Sequence, residues 1–488
     1  MVKIVIEPVS RLEGEAKISI FLNKEGKVED AYYQVVEFRG FEKFCVGRPA
    51  EEMPRITPRI CGVCPWPHHI ASVKAVDRLY GRTPTKTAET VREFAYLSHI
   101  IDSHSTHFYV LAAPDFVMGP DAEPTERNII GMLRKNPDLV KQVLKYRHLS
   151  VEIEKMIGGK PIHPIFGIPG GISHPITPEM QKQLKEKSEK LVEFAQFGLK
   201  LFEDIILKNQ KYKDLIMGDV YRSETYYMGM VDDKDQLNFY DGKLKVIAPD
   251  GKEFAKFDPQ DYLEHIAEHV EPWTYLKFPY LKKVGWKGRV DGPDSGVYRV
   301  NSLARLNVTS GMPTPLAQEA YEKFVEVMGK PSHATLGFHW ARLIEILYAA
   351  ERMVELVDKP EFTSEDIVSL DGEITGRGIG VIEAPRGTLI HHYESDENGY
   401  LTKVNLIVAT VNNNAGMCIS VRKAAENLIN GTEVKEPILN MIEMAFRAYD
   451  PCLACASHSL PGKMPMKISI YDADKNLVKE IRRYGKCD

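Results

Sequence analysis

Two pairs of cysteines stand near opposite ends of this 488-residue chain, and both have the CxxC spacing. Cys61 and Cys64 form the first pair, and Cys452 and Cys455 form the second. The spacing lets both sulfurs of a pair reach one metal centre, so together the pairs supply four thiolates. A single pair is a weaker signal, because it can also be redox-active, zinc-binding or incidental.

A structural zinc ion held by four cysteines is the simplest interpretation of this set. Such sites usually close short loops, with the two pairs about 15 to 20 residues apart. Here most of the chain separates the pairs, so a zinc staple would be unusual. The alternative is a site in the core, where thiolates select a soft or low-valent transition metal.

The residues around both pairs favour the second alternative. The first pair lies in Arg59-Ile-Cys-Gly-Val-Cys-Pro-Trp-Pro-His-His-Ile-Ala-Ser72, and the second lies in Asp450-Pro-Cys-Leu-Ala-Cys-Ala-Ser-His458. Together they resemble the two cysteine motifs of the nickel–iron hydrogenase large subunit, RxCGxCxxxHxxAS and DPCxxCxxH. Other strings resemble further elements of that family: Arg11-Leu-Glu-Gly14, Arg39-Gly-Phe-Glu42 and Glu383-Ala-Pro-Arg-Gly387.

Three more strings resemble one branch of the family, the cytoplasmic enzymes that pass electrons to NAD(P), the deazaflavin F420 or a heterodisulfide reductase. They are 302–307, 313–316 and 342–351. The resemblance therefore implies the catalytic subunit of a hydrogenase, whose partner would be an iron–sulfur small subunit. Further flavin or iron–sulfur subunits would carry the electrons onward.

By the family pattern, the four cysteines would hold a nickel–iron centre whose iron also carries cyanide and carbon monoxide. Cys61 and Cys452 would be terminal nickel ligands, and Cys64 and Cys455 would bridge the two metals.

The pattern also implies a magnesium (or iron) ion bound by Glu42, His458 and the carbonyl of Leu406. Oxygen ligands suit Mg²⁺, although a histidine ligand is atypical for it.

The implied reaction is the heterolytic cleavage of H2, and it needs a route for the proton. A thiolate on nickel, such as that of Cys452, would accept the proton first, and Glu13 would carry it away. Arg386 would lie over the open face of the metals, held in a constrained turn between Pro385 and Gly387. Its fixed guanidinium donates hydrogen bonds in a way that lysine does not.

Four further residues match supporting positions of the family. Asp115 and Asp450 would pair with that arginine, although Asp115 also suits a helix cap. Thr410 would donate to cyanide, but the alternation around it equally suits a buried strand. His68 follows Cys64 by one helical turn and would donate to its bridging sulfur.

The remaining histidines and cysteines carry no such match and are interpreted as packed residues. This set includes His69, His99, His104, His107, Cys45 and Cys418.

The elements that must position these residues change along the chain. Val2–Ile6, Ala16–Leu22 and Val28–Val36 predict an antiparallel meander. Residues 218–300 are strand-rich, Ile379–Tyr393 and Leu401–Ala409 predict a strand pair, and the end of the chain predicts a hairpin. Apolar spacing predicts helices over 67–79, 87–112, 142–157, 178–207, 315–328, 339–357, 412–430 and 437–448. The expected fold is α+β, with a large, mostly helical core and peripheral antiparallel β-sheets.

Composition excludes several classes of protein. The formal charge is −5, which gives no electrostatic footprint for nucleic acid or an anionic membrane surface. Hydrophobic residues make up 43% of the chain, yet no run approaches the roughly 18 to 20 apolar residues of a membrane span. These features predict a cytoplasmic protein without direct membrane insertion.

Residues 1–458 are expected to form the hydrogenase domain, followed by a C-terminal extension of 30 residues, 459–488. The extension resembles the segment that a maturation protease removes in this family, after nickel-insertion factors have delivered the metal. An alternative for the whole chain is a hydrogen-sensing, regulatory relative of the hydrogenases, which generally lacks the removable tail. The quinone-binding subunit of respiratory complex I shares the fold but has lost the four cysteines.

Overall fold

The helical centre and peripheral sheets of this protein are seen in a computed structural model. It describes residues 2–431, 434–458, 466–472 and 476–483. Helices form the centre of the molecule, and small sheets lie around them. The predicted fold class is confirmed.

The longer helices are labelled in chain order. They are α1 (Pro65–Leu79), α2 (Lys86–Ser105), α3 (Pro137–Gly158), α4 (Pro178–Phe202), α5 (Ser302–Val308), α6 (Pro315–Met328), α7 (Phe338–Val357), α8 (Asn414–Leu428) and α9 (Glu436–Arg447). Several begin as their sequences predict. The hydroxyl of Thr85 caps α2, and that of Thr177 caps α4, where Pro178 occupies the first helical position.

The strands longer than two residues are also labelled in chain order. They are β1 (Val2–Ile6), β2 (Ala16–Leu22), β3 (Val28–Val35), β4 (Tyr226–Val231), β5 (Lys243–Ile247), β6 (Glu253–Phe257), β7 (Ile266–Val270), β8 (Lys277–Leu281), β9 (Arg377–Ala384), β10 (Gly387–Ser395), β11 (Leu401–Ile407), β12 (Met466–Tyr471) and β13 (Leu477–Arg483). Antiparallel sheets join β1-β2-β3, β4-β5-β6, β7-β8, β9-β10-β11 and β12-β13. The two-residue strand Tyr298–Arg299 adds to β4 in parallel.

Helix α1 lies against strand β9 at very short range. A Cβ atom at Gly380 would lie 1.9 Å from the carbonyl oxygen of Ala71, so only glycine permits this approach. Every residue of α1 except Arg78 is buried. The packing fixes the first cysteine pair, just before α1, relative to the turn between β9 and β10.

The sequence predictions are wrong in two places near that turn. The pattern predicts one strand over 379–393, but Pro385 and Arg386 make a tight turn between β9 and β10. The alternation around Thr410 suits a buried strand, but β11 ends at Ile407 and Thr410 lies in the short helix Ala409–Asn412. Both errors arise because a buried hairpin and a buried helix start are as apolar as a strand.

Two of the predicted helices end differently from their periodicity. Thr106–Ala112 and Glu203–Leu207 are π-helical continuations of α2 and α4. Such wider turns keep the apolar pattern, so the sequence does not distinguish them from α-helix. Within the described ranges, none of the helices combines the length and apolar character needed to cross a membrane.

Candidate metal centre

Four buried sulfurs from the two ends of the chain meet at one point. Sγ of Cys61 lies 3.3 Å from Sγ of Cys452, and Sγ of Cys64 lies 2.8 Å from Sγ of Cys455. All four sulfurs lie within 4.8 Å of one another. These separations exceed the roughly 2.05 Å of a disulfide, and all four cysteines are free. The predicted clustering of the two pairs is confirmed.

Short turns and helix starts aim both pairs into the core. Cys61 follows the turn Thr57–Ile60, and Cys64 directly precedes α1. The N–H of Cys64 donates to Sγ of Cys61 at 3.4 Å. Cys452 directly precedes the short helix Leu453–Ala456. The two pairs are therefore held by backbone structure on both sides of the centre.

The donor set fits a soft cation. Hydrogen bonds from the other three cysteines, Cys452 first among them, lower the pKa of Cys61 well below its ordinary value. Burial raises the pKa values of Cys452 and Cys455, so their ionisation requires a positive charge beside them. A bound metal cation supplies that charge, and thiolates select transition metals over hard cations.

The carboxylate of Glu13 lies directly against the sulfurs. Its Oε2 accepts hydrogen bonds from Sγ of Cys452 at 3.0 Å and from the N–H of Ala454 at 3.1 Å. Burial, reinforced by negative charge at Cys61, raises the pKa of Glu13. The backbone of Glu13 also forms a parallel bridge with Cys452, and its carbonyl accepts from the N–H of Leu453 at 3.0 Å.

Arg386 is buried on another side of the sulfurs. Its Nη2 donates to Oδ1 of Asp450 at 2.9 Å, its Nε donates to the carbonyl of Asp450 at 2.7 Å, and its Nη1 lies 3.5 Å from Oγ of Ser103. Burial disfavours the charged guanidinium, but Asp450 and the nearby thiolates, Cys452 first, outweigh it and raise the pKa of Arg386. The side chain is therefore a fixed cation, and its predicted pairing with Asp450 is confirmed.

A second buried arginine holds the turn that carries Arg386. Arg305 donates from Nη1 to the carbonyl of Ala384 at 2.9 Å and from Nη2 to the carbonyl of Pro385 at 3.3 Å. It also makes a bidentate pair with Glu345, at 2.5 and 2.7 Å, and a bond to Glu383 at 2.9 Å. All three charged side chains are fully buried. The cluster ties α5, α7 and β9 together at the base of the turn.

Replacing Arg305 with lysine is expected to destabilise the protein while leaving the four sulfurs in place. A lysine ammonium cannot make the bidentate pair and reach both carbonyls, so buried charges and backbone groups lose their partners, at a cost of about 3 to 5 kcal/mol. Thermal unfolding and metal content measure the effect. Arg352→Lys is the matched control, because Arg352 makes a comparable pair with Glu93 in a partly exposed position, its own side chain being 25% exposed. Equal melting temperatures for the two variants would contradict the expectation.

Thr410 lies at the centre, whereas His68 makes a different bond from the one predicted. Oγ1 of Thr410 accepts from the N–H of Cys452 at 3.2 Å. Nδ1 of His68 faces Nε2 of His391 at 3.1 Å, and in the part of the chain that is described His68 makes no hydrogen bond to Cys64. Burial lowers the pKa of His68 to about 4, so the ring is neutral at neutral pH.

The predicted pairing of Asp115 with Arg386 is wrong. Oδ1 of Asp115 accepts from Arg11 at 2.5 Å, and its Oδ2 accepts from Arg447 at 2.8 Å. The N-terminal loop and helix α9 bring these two arginines to Asp115, while Asp450, beside the second cysteine pair, is the carboxylate that reaches Arg386. Asp115 therefore joins the two ends of the chain behind the centre.

Replacing Asp115 with asparagine is expected to lower the free energy of unfolding by about 3 to 5 kcal/mol, because Arg11 loses its carboxylate partner and Arg447 keeps only Glu443. Burial raises the pKa of Asp115, but Arg447 and Arg11 outweigh it and lower the value from 3.8. The stabilisation is thus complete above the unfolded pKa and is lost as the pH falls through the lower folded value. Thermal unfolding at neutral and acidic pH measures both effects. Exposed Asp233→Asn is the control, and an equal melting temperature for both variants would refute the role of Asp115.

The three residues predicted to bind magnesium are adjacent. The N–H of Leu406 donates to Oε1 of Glu42 at 2.9 Å, and the N–H of Glu42 donates to the carbonyl of His458 at 3.3 Å. Nε2 of His458 bonds to the carbonyl of Cys455, while its buried Nδ1 has no hydrogen-bond partner among the described residues. Nζ of Lys277 lies 3.7 Å from Oε1 of Glu42 and is the competing cation there.

Three of the residues interpreted as packed, His69, Cys45 and Cys418, are buried as predicted. His69 bonds to the carbonyl of Pro54 at 2.7 Å and accepts from the N–H of Gly167 at 2.9 Å. Cys45 and Cys418 are buried and free, as small apolar side chains would be.

Three residues at the centre are not found by sequence reasoning. Ser103 and Asn413 both bond to Arg386, Ser103 to its side chain and Asn413 to its carbonyl at 3.2 Å. Neither stands in a recognisable motif, so the sequence offers no signal. Arg305 lies in the string 302–307, which resembles the family but predicts no role for this residue.

Comparison with known proteins agrees with this geometry. A family model for nickel-dependent hydrogenase matches residues 39–128 and 139–458, and a model described as HoxL-like matches residues 3–38. This chain belongs to the nickel-dependent hydrogenase family, as a large subunit, and that family consists of oxidoreductases that act on H2.

Individual relatives span the whole chain. An F420-non-reducing hydrogenase iron-sulfur subunit of Archaeoglobus profundus is 49% identical over 487 residues, which are 99% of this chain and 100% of the relative. The NAD-reducing hydrogenase HoxS subunit beta of Cupriavidus necator is 41% identical over 497 residues, with 99% of each chain covered. A solved NAD⁺-reducing [NiFe]-hydrogenase in the H2-reduced state has a TM-score of 0.88 and 37% identity, covering 94% of this chain and 100% of its own.

Proposed function

We propose that this chain is the catalytic subunit of a nickel–iron hydrogenase that cleaves H2 heterolytically and reversibly. The observation that carries the proposal is the set of four buried sulfurs within 4.8 Å, with a carboxylate on one side. The Arg386 guanidinium, held by Asp450, lies on another side. An anion-rich sulfur cluster with a proton acceptor and a fixed cation suits the splitting of H2 into two protons and two electrons.

Cys61, Cys64, Cys452 and Cys455 would together hold nickel and iron. The metals, with cyanide and carbon monoxide on iron, would supply polarisation of H2 and acceptance of its electrons. Thr410 would provide a polar group toward the iron ligands, because its hydroxyl already lies beside the N–H of Cys452.

The chain's own residues handle the proton. Sγ of Cys452 would take it first, and Oε2 of Glu13, 3.0 Å away, would accept it from the sulfur. The raised pKa of Glu13 matches the carboxylate better to a thiol donor than an ordinary glutamate would be. Arg386 would stabilise negative charge at the centre, since its donors are fixed by Asp450 before substrate arrives.

The electrons must leave through a partner. Among the described residues, the remaining cysteines are Cys45 and Cys418, and neither belongs to the four-sulfur cluster. They therefore offer no second cysteine cluster for a metal. An iron–sulfur small subunit would therefore receive the electrons and pass them to further flavin or iron–sulfur subunits. The two relatives described above are each named as one subunit of a hydrogenase, which supports a multi-subunit enzyme. We propose that this assembly works in the cytoplasm.

Glu42, His458 and the carbonyl of Leu406 would bind magnesium or iron beside the second cysteine pair. The carboxylate of Glu42 supports this assignment, as does Nδ1 of His458, which has no hydrogen-bond partner among the described residues. A divalent cation would have to displace the ammonium of Lys277 from Glu42.

Metal analysis and turnover test the proposed function. The chain purified with its iron–sulfur partner is expected to contain one nickel and one iron and to reduce benzyl viologen with H2. Zinc alone would contradict the hydrogenase assignment. Both metals with negligible turnover would favour the hydrogen-sensing alternative.

Removal of residues 459–488 is part of the same proposal. The solved relative covers 94% of this chain and is itself covered completely, and the extension is 30 of 488 residues. A dedicated protease would cut after His458 once nickel-insertion factors have loaded the centre. Intact mass of the active enzyme is expected to correspond to a chain ending at His458, and full-length active enzyme would refute the cleavage.

A further inference from the structure

A second buried polar cluster lies between helices α2 and α3, outside the sulfur centre. His99 and Asp102 come from α2, and Glu154 comes from α3. One ring nitrogen and two carboxylate oxygens lie within 4.8 Å of one another, and all three side chains are buried. Buried titratable groups are costly, so a cluster of three calls for a physical reason.

A residue next to this cluster contacts Arg386 at the sulfur centre. Ser103, the residue after Asp102, has its Oγ 3.5 Å from Nη1 of Arg386. His99 lies four residues before Ser103 and therefore on the same face of α2. Burial lowers the pKa of His99 to about 4, and the charge of Asp102, followed by those of Arg386 and Cys61, also acts on it.

The outer end of the cluster reaches solvent. Oδ1 of Asp102 lies 2.9 Å from Nε of Arg147, whose side chain is 38% exposed. The side chain of Asp102 is itself 11% exposed, whereas those of His99 and Glu154 are at most 3% exposed. The polar groups therefore form a column between the centre and the surface along two helices, with gaps that no hydrogen bond among the described residues closes.

The hydrogen bonds of the column suit proton transfer. Nδ1 of His99 lies 3.0 Å from Oε1 of Glu154. Its Nε2 is buried and has no hydrogen-bond partner among the described residues. An imidazole ring whose Nδ1 is bonded to a carboxylate and whose Nε2 is unbonded can accept a proton at Nε2 and release one from Nδ1.

We propose that His99, Glu154 and Asp102 form a proton route between the metal centre and solvent, which serves one of the two protons of each H2 while Glu13 serves the other. The route rests on the proposed hydrogenase function. A proton from the centre reaches Nε2 of His99 by way of water, since none of the described groups bonds to that nitrogen, and the proton on Nδ1 moves to Oε1 of Glu154. From Glu154 the proton crosses to Asp102, over a gap that one water bridges, and leaves beside Arg147. Rotation of the ring restores the starting tautomer, and the same groups carry protons inward during H2 evolution.

The titration of the carboxylates supports this role. Burial raises the pKa of Glu154 to about 8, against the lowering effect of Arg147. Burial, followed by the charge of Glu154, raises the pKa of Asp102 to about 6, while Arg147 and His99 act in the opposite direction. Carboxylates that titrate near neutral pH both accept and release protons there.

The test compares Glu154→Gln with Glu152→Gln in the purified holoenzyme with its iron–sulfur partner. Glutamine keeps the size and one acceptor oxygen of Glu154, but its amide neither accepts nor releases a proton in this pH range. Glu152 lies on the same helix, its side chain is 40% exposed, and it pairs with Lys187, so it is the matched control. H2 oxidation is measured in H2O and D2O between about pH 6 and 9.

In the wild type and in Glu152→Gln, turnover is expected to rise with pH toward about 8, as Glu154 ionises and accepts protons. Glu154→Gln is expected to lose this rise, to turn over about tenfold more slowly at the alkaline end, and to have a larger solvent isotope effect. Asp102→Asn, at the exposed end of the cluster, is expected to show the same changes as Glu154→Gln. It replaces Glu154→Gln in the test if that variant assembles without metal.

A pH profile and isotope effect in Glu154→Gln and Asp102→Asn equal to those of Glu152→Gln would overturn the route, leaving the cluster a structural contact between α2 and α3. A wild type that contains no nickel and oxidises no H2 would instead overturn the proposed function. If the wild type is active and the variants are unaffected, the proton route is overturned and the proposed function stands.

Discussion

Replacing Cys455 with serine is expected to remove nickel and iron together and to reduce H2 oxidation by about 10³-fold or more. Sγ of Cys455 lies 2.8 Å from Sγ of Cys64, within the cluster of four sulfurs. A serine hydroxyl is harder and far less acidic than a thiol, so it supplies no soft anionic ligand. The measurements are nickel and iron per chain and benzyl viologen reduction with H2.

Cys418→Ser is the matched control for this variant. Cys418 is equally buried and free, but its Sγ faces the carbonyl of Tyr33 at 3.8 Å instead of the cluster. A serine there can keep that hydrogen bond, so metal content and turnover are expected to stay near those of the wild type. A Cys455→Ser protein with full metal content would refute the assignment of the four sulfurs as ligands.

Replacing Glu13 with glutamine is expected to reduce turnover by about 10² to 10⁴-fold while leaving both metals bound. The amide still accepts the hydrogen bond from the N–H of Ala454, so the backbone bridge to Cys452 is retained. The amide cannot carry a proton away from Cys452, whose Sγ lies 3.0 Å from Oε2 of Glu13 in the wild type. Loss of activity without loss of metal therefore separates proton transfer from assembly.

Glu15→Gln is the control, because Glu15 lies two residues further along the same segment and is exposed. Its turnover is expected to equal that of the wild type over the whole pH range. A Glu13→Gln enzyme that kept more than about half of the wild-type rate would show that protons leave mainly by another path.

The parts of the site that sequence predicts are those held by short, local geometry. The spacing within Cys61–Cys64 and within Cys452–Cys455 is a property of a few neighbouring residues, and the structure brings the two pairs together. The meander β1-β2-β3 and helix α6 follow in the same way from alternation and periodicity. These elements agree with the sequence prediction because tertiary packing does not oppose their local patterns.

The errors concern partners chosen by tertiary packing. Asp115 and Asp450 are both aspartates near family motifs, and nothing local tells which of them reaches Arg386. That choice depends on where the N-terminal loop and α9 place Arg11 and Arg447. Likewise, His68 has the helical offset to face Cys64, but His391 on β10 takes its hydrogen bond. Residues such as Ser103 are ordinary in sequence and acquire a role only through the packing of α2 beside the β9–β10 turn.

The parallel bridge between Glu13 and Cys452 also constrains the order of events during synthesis. Cys61 and Cys452 are 391 positions apart, and chains grow at about 5 to 20 residues per second, so about 20 to 80 s pass between their appearances. Throughout that interval the first pair supplies only two of the four thiolates, and any thiophilic cation can bind to them. Correct loading therefore depends on timing as well as affinity, and a segment that leaves the ribosome late is the one that closes the site.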